Sequence, residues 1–212
     1  ILRSLMFDID VMVIDPEREY EFLAEAVGGR YFNISISSDH HMNPFDLPTL
    51  KGDETPADVF KSHTLALTGL FRLMMGNLTP EETNILDEAI IQTYAIKDIT
   101  PEADFSNSPP PILSDFQSVL EGLTGAESMA IRLKKYIQGT FAGFLNNPTN
   151  ISLENRFVVF SIKEMEEELK PIAMYLILNH IWTQIRHELK KRILVVDEAW
   201  WLMKYPLGAE FL

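Results

Sequence analysis

The sequence contains no cysteine among its 212 residues. Disulfides, thiolate metal ligands and cysteine nucleophiles are therefore excluded as sources of stability or chemistry. Long hydrophobic runs are also missing, because the longest one covers residues 172–178 and stops at Asn179 and His180. A helix that spans a bilayer needs roughly 20 consecutive apolar residues, so this run does not predict a membrane span.

Positive charge is scarce: 18 Lys and Arg stand against 31 Asp and Glu, which gives a net charge of −13. A protein whose main role is to coat nucleic acid relies on clustered cations that neutralise phosphates. The composition therefore argues against that role, although a local DNA contact is left open. The hydrophobic fraction of 46% is ordinary for a soluble domain and excludes disorder of the whole chain.

Short apolar runs predict the strands of a sheet near both ends of the sequence. Buried strands are predicted at 10–15, 156–161 and 193–196, and an alternating pattern predicts another strand at 31–37. Helical patterns are predicted at 17–27 and 171–192. The combination predicts an α/β fold with a mostly parallel sheet.

The middle of the sequence has a different, purely helical character. Thr55-Pro56 and Thr79-Pro80 each place a capping hydroxyl before a proline, which is typical of a helix start. Apolar residues then recur at helical spacing. We therefore predict an α/β core formed by residues 1–50 and 151–212, interrupted by an all-helical insertion at 51–150.

The hexamer Ile-Leu-Val-Val-Asp-Glu at 193–198 carries two acids directly after a predicted buried strand. Ligands of open parallel sheets bind beyond the carboxyl ends of the strands. A nucleoside triphosphatase needs one acid there to hold the magnesium shell and another to polarise the attacking water, which suits Asp197 and Glu198. The alternative is an acidic helix start, because acids favour the first helical turn.

A second acidic motif, Asp-Pro-Glu-Arg-Glu-Tyr, follows the first predicted strand at 15–20. Asp15 would face the same sheet edge as the first acid pair, and Glu19 would lie one turn into the next helix. The alternative is structural, since an acid before proline is common at helix starts and a first-turn glutamate can simply be solvated.

Three motifs, taken in order, resemble one protein family. They are Val-Ile-Asp-Pro-Glu-Arg-Glu-Tyr at 13–20, Asn-Pro-Phe-Asp at 43–46 and Val-Val-Asp-Glu-Ala-Trp at 195–200. Together they resemble the large VirB-class assembly ATPase of type IV secretion and conjugation systems, a relative of the FtsK and HerA hexameric translocases. The resemblance extends over essentially the whole sequence. It implies a RecA-like P-loop ATPase core with an inserted all-α subdomain.

The resemblance also implies residue roles and a cellular setting. Asp197 would be the Walker B aspartate that holds Mg²⁺ through water, and Glu198 the catalytic glutamate. Asp15 and Glu19 would be nucleotide-binding residues. The implied cofactors are ATP and Mg²⁺, and the implied partners are copies of the same chain in a hexamer and other type IV secretion components. The implied location is the cytoplasm, with peripheral association at the inner face of the cytoplasmic membrane.

One motif of the family is missing from this sequence. The phosphate-binding loop Gly-x-x-x-x-Gly-Lys-Ser/Thr does not occur, and there is no Gly-Lys dipeptide at all. That loop supplies the backbone amides and the lysine that hold the phosphates. We therefore expect the sequence to be an internal piece of a longer protein, and we expect this piece alone not to bind ATP tightly.

Two other functions stay open at this stage. The first is a DNA-pumping translocase of the FtsK or HerA kind, against which the acidic composition and the Asn-Pro-Phe-Asp motif weigh weakly. The second is a non-catalytic assembly scaffold, in which the acids serve only structure and the helical block binds partners. The adjacent pair His40-His41 does not predict a metal site, because neighbouring residues point in different directions and no third ligand is evident.

Overall fold

A computed structural model describes residues 1–50, 52–103, 105, 108–139, 141–185 and 190–199. The chain divides into two compact units, one formed by Ile1–His40 with Asn150–Leu212 and the other by His41–Thr149. We call them the sheet unit and the helical unit. The domains predicted from the sequence, 1–50 with 151–212 and 51–150, remain a prediction.

The sheet unit contains a four-stranded sheet in which every strand pair is parallel. Its order is β2-β3-β1-β4, and the strands are β1 (Asp10–Asp15), β2 (Arg30–Asn33), β3 (Phe157–Ser161) and β4 (Arg192–Val196). All residues of β1 and β3 are buried. The predicted α/β class with a parallel sheet is thereby confirmed. The predicted burial of the strand at 193–196 is wrong, because β4 lies at an edge of the sheet and Ile193 and Leu194 are exposed.

Strand β2 is shorter than the prediction of 31–37. Beyond Asn33, the backbone N–H of Ile34 still donates to Ser161, but the chain then turns. The Ser38 hydroxyl donates to the Ser35 carbonyl at 3.0 Å and accepts from the Ser35 N–H at 3.3 Å. Serine side chains that bond the nearby backbone compete with strand pairing in this way, so the alternating pattern overstated the strand.

Within its described residues, the sheet unit has three helices: α1 (Leu2–Met6), α2 (Glu21–Ala26) and α8 (Lys170–Ile185). The predicted start of α2 at residue 17 is wrong, because the Asp15 carboxylate binds the N–H groups of Glu19 and Tyr20 and the helix begins only at Glu21. The predicted helix 171–192 is also too long, because Lys190 and Lys191 are not helical and Arg192 already begins β4. Residues 186–189 lie outside the described part of the chain.

Helices α1 and α2 contribute to a core on one face of the sheet. Its fully buried members are Val11, Val13, Ala24, Phe157 and Val159. Partly buried side chains from both helices pack against this cluster, among them Leu5 of α1 and Leu23 of α2. Burial of apolar surface contributes about 25 cal/mol per Å². The packing against this cluster therefore stabilises α2 in its position on the sheet, and that position determines the path of the turn before it.

Close packing of the α2–β2 turn against β3 requires glycine at position 29. A Cβ atom there would lie 2.8 Å from Phe157 Cδ1 and 2.9 Å from the Phe157 carbonyl oxygen. We expect Gly29→Ala to lower the free energy of unfolding by roughly 1–3 kcal/mol, because overpacking shifts the backbone. The matched control is Gly122→Ala, where nothing lies within 4 Å. Equal urea midpoints for the two variants would contradict this explanation.

The helical unit contains α3 (Pro56–Met75), α4 (Pro80–Ala95), α5 (Leu113–Gly122), α6 (Glu127–Leu133) and α7 (Ala142–Leu145), with a 3-10 turn at Lys134–Tyr136. The two predicted helix starts are confirmed. Thr55 Oγ1 accepts the Asp58 N–H at 3.2 Å. Thr79 and Glu82 bind each other's backbone N–H at 3.1 and 3.0 Å, which satisfies donors that a helix start leaves free.

The Asn-Pro-Phe-Asp motif forms part of the core of the helical unit. The Asn43 side-chain amide donates to the Pro111 carbonyl at 2.9 Å. The ring of Phe45 is fully buried between Phe71 and Phe116, with centroid separations of 5.9 and 5.7 Å. The Tyr94 hydroxyl donates to the Phe45 carbonyl at 2.9 Å. These contacts give the motif a structural role within its own unit.

Candidate functional site

The carboxyl ends of the parallel strands place polar residues of three neighbouring strands at one edge of the sheet. Asp15 ends β1 and lies opposite Ser161, which ends β3. On the other side of β1, Ile14 lies opposite Val196, and the Asp197 N–H donates to the Ile14 carbonyl at 3.0 Å. Strand register therefore brings Asp15 and Asp197 to adjacent positions on neighbouring strands.

The carboxylate of Asp15 is fully buried and binds the turn that follows it. Its Oδ1 accepts the Glu19 N–H at 3.1 Å, and its Oδ2 accepts the Tyr20 N–H at 3.0 Å. Bonds from backbone N–H groups to an ionised carboxylate are among the stronger hydrogen bonds in proteins. The turn is thereby held out of the helix, which explains why α2 begins only at Glu21.

Arg18 fixes the same turn from its outer side. Its backbone has a φ of 65°, a left-handed conformation that is uncommon for residues other than glycine. Its guanidinium donates to both carboxylate oxygens of Glu21, at 2.8 and 3.0 Å, and to Glu164 at 2.9 Å. Glu164 also accepts the Asn33 amide at 2.6 Å. The turn after β1 is thus bonded to Glu164, which follows β3, and through Glu164 to Asn33, the last residue of β2.

Glu19 is placed in this turn but with its side chain exposed. Its backbone is held by Asp15, and its negative charge acts on the neighbouring Tyr20 hydroxyl. The nucleotide-binding roles of Asp15 and Glu19 remain predictions. For Asp15 the contacts agree with the helix-start alternative, because both carboxylate oxygens are used by backbone groups.

The acids Asp197 and Glu198 form a turn directly after β4 rather than the first turn of an α-helix. Asp197 is half-buried, and its Oδ1 accepts the Glu198 N–H at 3.0 Å. Glu198 is exposed and has a φ of 51°. A left-handed backbone at a residue other than glycine costs on the order of 1 kcal/mol and is frequent at functional sites.

Tyr20 is a site residue that the sequence analysis missed. Its hydroxyl lies close enough to the Asp197 carboxylate for the negative charge of that group to act on it. Burial, together with the nearby carboxylates of Asp197 and Asp15, raises the pKa of the Tyr20 hydroxyl. The group therefore stays protonated near neutral pH and can donate to the carboxylate. The only signal in the sequence is its position at the end of the Asp-Pro-Glu-Arg-Glu-Tyr motif.

The acid pair fits a water-mediated magnesium site better than a metal cage built by protein alone. Within the described ranges, no group of three or more His, Asp or Glu side chains could hold a metal ion. Mg²⁺ commonly keeps several waters and uses only one or two carboxylates together with substrate phosphates. Asp197, which is predicted to hold Mg²⁺ through water, would be such a carboxylate. The sequence has no Gly-Lys dipeptide to supply the phosphate-binding half of such a site.

The basic residues near β4 lie at the opposite, amino edge of the sheet. Lys190 and Arg192 pair with Asp10, at 2.9 and 3.9 Å from its Oδ2, and Arg156 approaches Oδ1 at 3.7 Å. Asp10 is largely buried at this end of β1. These cations therefore neutralise the charge of a buried acid. That structural role explains their position without a contact to the phosphates of a nucleic acid.

Fold and site together define a class, the α/β core of a P-loop ATPase. The chain belongs to the TraG P-loop domain family, whose model matches residues 1–212. Among solved structures, it is similar to VirB4 of Thermoanaerobacter pseudethanolicus, with 25% sequence identity and a TM-score of 0.86. No curated protein sequence gives a match. The resemblance to type IV secretion ATPases drawn from the motifs is confirmed.

The match to VirB4 covers 99% of this chain and 58% of the VirB4 chain. This chain therefore corresponds to little more than half of that relative. Among the helices that the structure describes, none combines the length and apolarity needed to cross a membrane.

Proposed function

We propose that the protein is the ATP-hydrolysing motor of a type IV secretion or conjugation system, powering pilus assembly or substrate transfer. The observation that carries the proposal is the Asp197-Glu198 turn at the carboxyl end of β4, hydrogen-bonded to β1 through Ile14. Two acids at this edge of a parallel sheet suit nucleotide hydrolysis. The likeness to VirB4 supports the choice of system.

In this mechanism the residues of the chain orient water rather than form covalent bonds. Asp197 would hold waters of the magnesium shell, and Glu198 would orient and polarise the water that attacks the γ-phosphate. Mg²⁺, when bound with ATP, neutralises charge on the phosphates. The exposed position of Glu198 suits this role, since its carboxylate must reach a water outside the sheet. Asp15 and Glu19 would lie close to the nucleotide.

The setting of the motor is also proposed from its relatives. We expect a ring, a hexamer, that works with other type IV secretion components at the cytoplasmic face of the inner membrane, bound there peripherally. The family and the VirB4 likeness support this assembly. We expect the phosphate-binding lysine to come from outside these 212 residues, because they contain no Gly-Lys sequence.

The proposal is tested by measuring Mg²⁺-dependent ATP hydrolysis with the full-length protein and, in parallel, with residues 1–212 alone. We expect turnover in the full-length protein that disappears in EDTA, and none above background in the 212-residue chain. The chain alone lacks the loop that holds phosphates, so it should not bind ATP tightly. A full-length protein that neither binds nor hydrolyses ATP would contradict the motor and favour the assembly scaffold.

Adding double-stranded DNA to the same assay separates the two motor functions. A secretion motor that does not move along DNA should show the same turnover with and without it. Strong stimulation, falling steeply with salt as phosphate contacts do, would instead favour a DNA-pumping translocase. The pairing of Lys190, Arg192 and Arg156 with Asp10 supports the first outcome.

A further inference from the structure

The two edges of the parallel sheet carry charges of opposite sign. Because the four strands are parallel, their carboxyl ends share one edge and their amino ends share the other. The segments that follow β1, β3 and β4 at the carboxyl edge contain eight acids, in the ranges 17–19, 164–168 and 197–198, and two bases, Arg18 and Lys163. All these acids are exposed except the half-buried Asp197. The carboxyl edge is therefore strongly negative.

The amino edge is basic, although the chain as a whole is acidic. The starts of β2, β3 and β4 carry five bases: Arg30, Arg156, Lys190, Lys191 and Arg192. Three acids, Asp8, Asp10 and Glu154, lie at the same edge, and the first two form ion pairs with Arg156, Lys190 and Arg192. Arg30 and Lys191 are exposed and have no ion pair with any described residue. This edge therefore attracts a negatively charged partner.

An apolar groove of about 480 Å³ opens beside the basic edge. Its apolar lining comes from α1, from the end of α2 and from the start of β3: Leu2, Leu5, Met6, Val27 and Phe157. Hydrogen bonds from Arg156 to the Leu5 carbonyl at 2.5 Å and from Asn155 to the Gly28 carbonyl at 3.1 Å connect its walls. Sites that bury small organic molecules have volumes of this size. The groove therefore has room for one aromatic side chain.

A large aromatic side chain is exposed near the acidic edge. Phe22 is the second residue of α2, which begins directly after the turn at the carboxyl end of β1, and it is 82% exposed. The six residues of α2 span about 9 Å, and Val27, which lines the groove, follows the other end of the helix. One face of the sheet unit thus presents an aromatic side chain at its acidic end and an apolar groove at its basic end.

We propose that the basic edge and the groove of one copy bind the acidic edge and Phe22 of a second copy. The two surfaces differ, so the contact is head to tail, and repetition of such a contact closes a ring when the rotation between copies fits. The proposal rests on the proposed function, because it assigns the contacts by which the ring of motor subunits forms. Opposite charges orient the two copies, and burial of Phe22 supplies apolar stabilisation.

A second copy explains more of these features than an anionic membrane does. Bases beside exposed apolar side chains, here Met6 and Phe7 of α1 and its C-terminal end, also suit the surface of an anionic bilayer. A bilayer would leave Phe22 and the acids of the opposite edge without a role. A second copy engages both edges of the sheet at once.

The test measures self-association of the full-length protein by sedimentation velocity. Phe22→Ser removes the aromatic side chain, and Met6→Glu places an acid in the groove. Both positions are largely exposed, so the fold should tolerate the changes. Each variant should raise the dissociation constant for self-association by about tenfold or more, as expected when the burial of one phenylalanine is lost. Higher salt should weaken association of the wild type, because it screens the charges of the two edges.

The matched control is Ile131→Ser, which removes an apolar side chain of α6 that is 74% exposed. It should leave the dissociation constant unchanged. An equal mixture of Phe22→Ser and Met6→Glu provides one intact groove and one intact Phe22. The mixture should therefore form pairs at concentrations where each variant alone is monomeric, and it should stop at two copies, whereas the wild type assembles further.

Several outcomes would overturn the inference. They are a wild-type dissociation constant in Phe22→Ser or Met6→Glu, the same loss in Ile131→Ser, no pairing in the mixture, and a wild type that stops at one or two copies. Unchanged self-association in Met6→Glu with weaker binding to phosphatidylglycerol vesicles would instead identify a lipid-binding edge. ATP hydrolysis separates this inference from the proposed function. A wild type that hydrolyses ATP while the variants assemble normally contradicts the inference alone, and a wild type that neither assembles nor hydrolyses ATP contradicts both.

Discussion

Replacement of Glu198 by glutamine is expected to lower kcat for ATP hydrolysis by at least about 100-fold while nucleotide binding persists. A positioned side chain that accepts or directs a proton contributes typically 10²- to 10⁴-fold to rate. Glutamine has the same shape, but it carries no charge to polarise the attacking water. Asp197, which is held by the Ile14 carbonyl and the Glu198 N–H, stays in place, so the magnesium shell should be retained.

This prediction is checked by single-turnover hydrolysis and by ATP binding on the same full-length preparations. The matched control is Glu17→Gln, because Glu17 is an exposed acid in the turn after β1 whose carboxylate lies 4.0 Å from Lys163. It should turn over at the wild-type rate. Wild-type turnover in Glu198→Gln would place the residue that activates water elsewhere in the protein. Loss of ATP binding in that variant would assign Glu198 to binding instead.

The strands of this fold could be predicted from the sequence because their physical signal is local. Parallel strands that are buried on both faces need short, continuous apolar runs, and β1 and β3 have such runs and are buried along their whole length. β4 has a run of the same kind, although it lies at the edge of the sheet and is partly exposed. The turn after β1 carried no comparable signal, since residues 17–27 fit a helix throughout. The helix does not form over residues 17–20 because the buried carboxylate of Asp15 binds the N–H groups of Glu19 and Tyr20.

Only the acids of the candidate site, and not the residues near them, could be predicted from the sequence. Acids at the ends of parallel strands must share an edge, which is why the sequence alone is enough to name Asp15 and Asp197. The nearness of Tyr20 to Asp197 could not be predicted, because it depends on β4 pairing with β1 rather than with another strand. Strand order is a long-range property that apolar runs do not encode.

Lowering the pH from neutral toward about 4.5 is expected to destabilise both units through buried histidines. Burial lowers the pKa of His63, in α3, to about 4, and burial lowers the pKa of His180, in α8, to about 4. An unfolded histidine has a pKa of about 6.5. Between these values the unfolded chain binds protons that the folded chain excludes, so stability falls as the pH drops through that window.

The size of the effect follows from the same pKa differences. A shift of about 2.5 units corresponds to roughly 3 kcal/mol for each histidine when the window has been crossed. Asp46 acts in the opposite direction, because burial raises the pKa of its carboxyl above 3.8 and its protonation then favours the folded state. That contribution partly offsets the loss at the acid end, so the net decrease should be steepest between about pH 6.5 and 5.

Urea unfolding at about pH 7.5 and 4.5, followed by circular dichroism, measures the decrease. His63→Gln and His180→Gln should each lose roughly 2–3 kcal/mol less stability between the two pH values than the wild type. Any constant penalty of the substitution cancels in this difference. His41→Gln is the matched control, because the half-buried His41 ring bonds the Gly143 carbonyl at 2.8 Å, and it should retain the full decrease. An unchanged pH dependence in His63→Gln would mean that His63 is protonated within the folded helical unit, and acid sensitivity would then have to come from carboxylates.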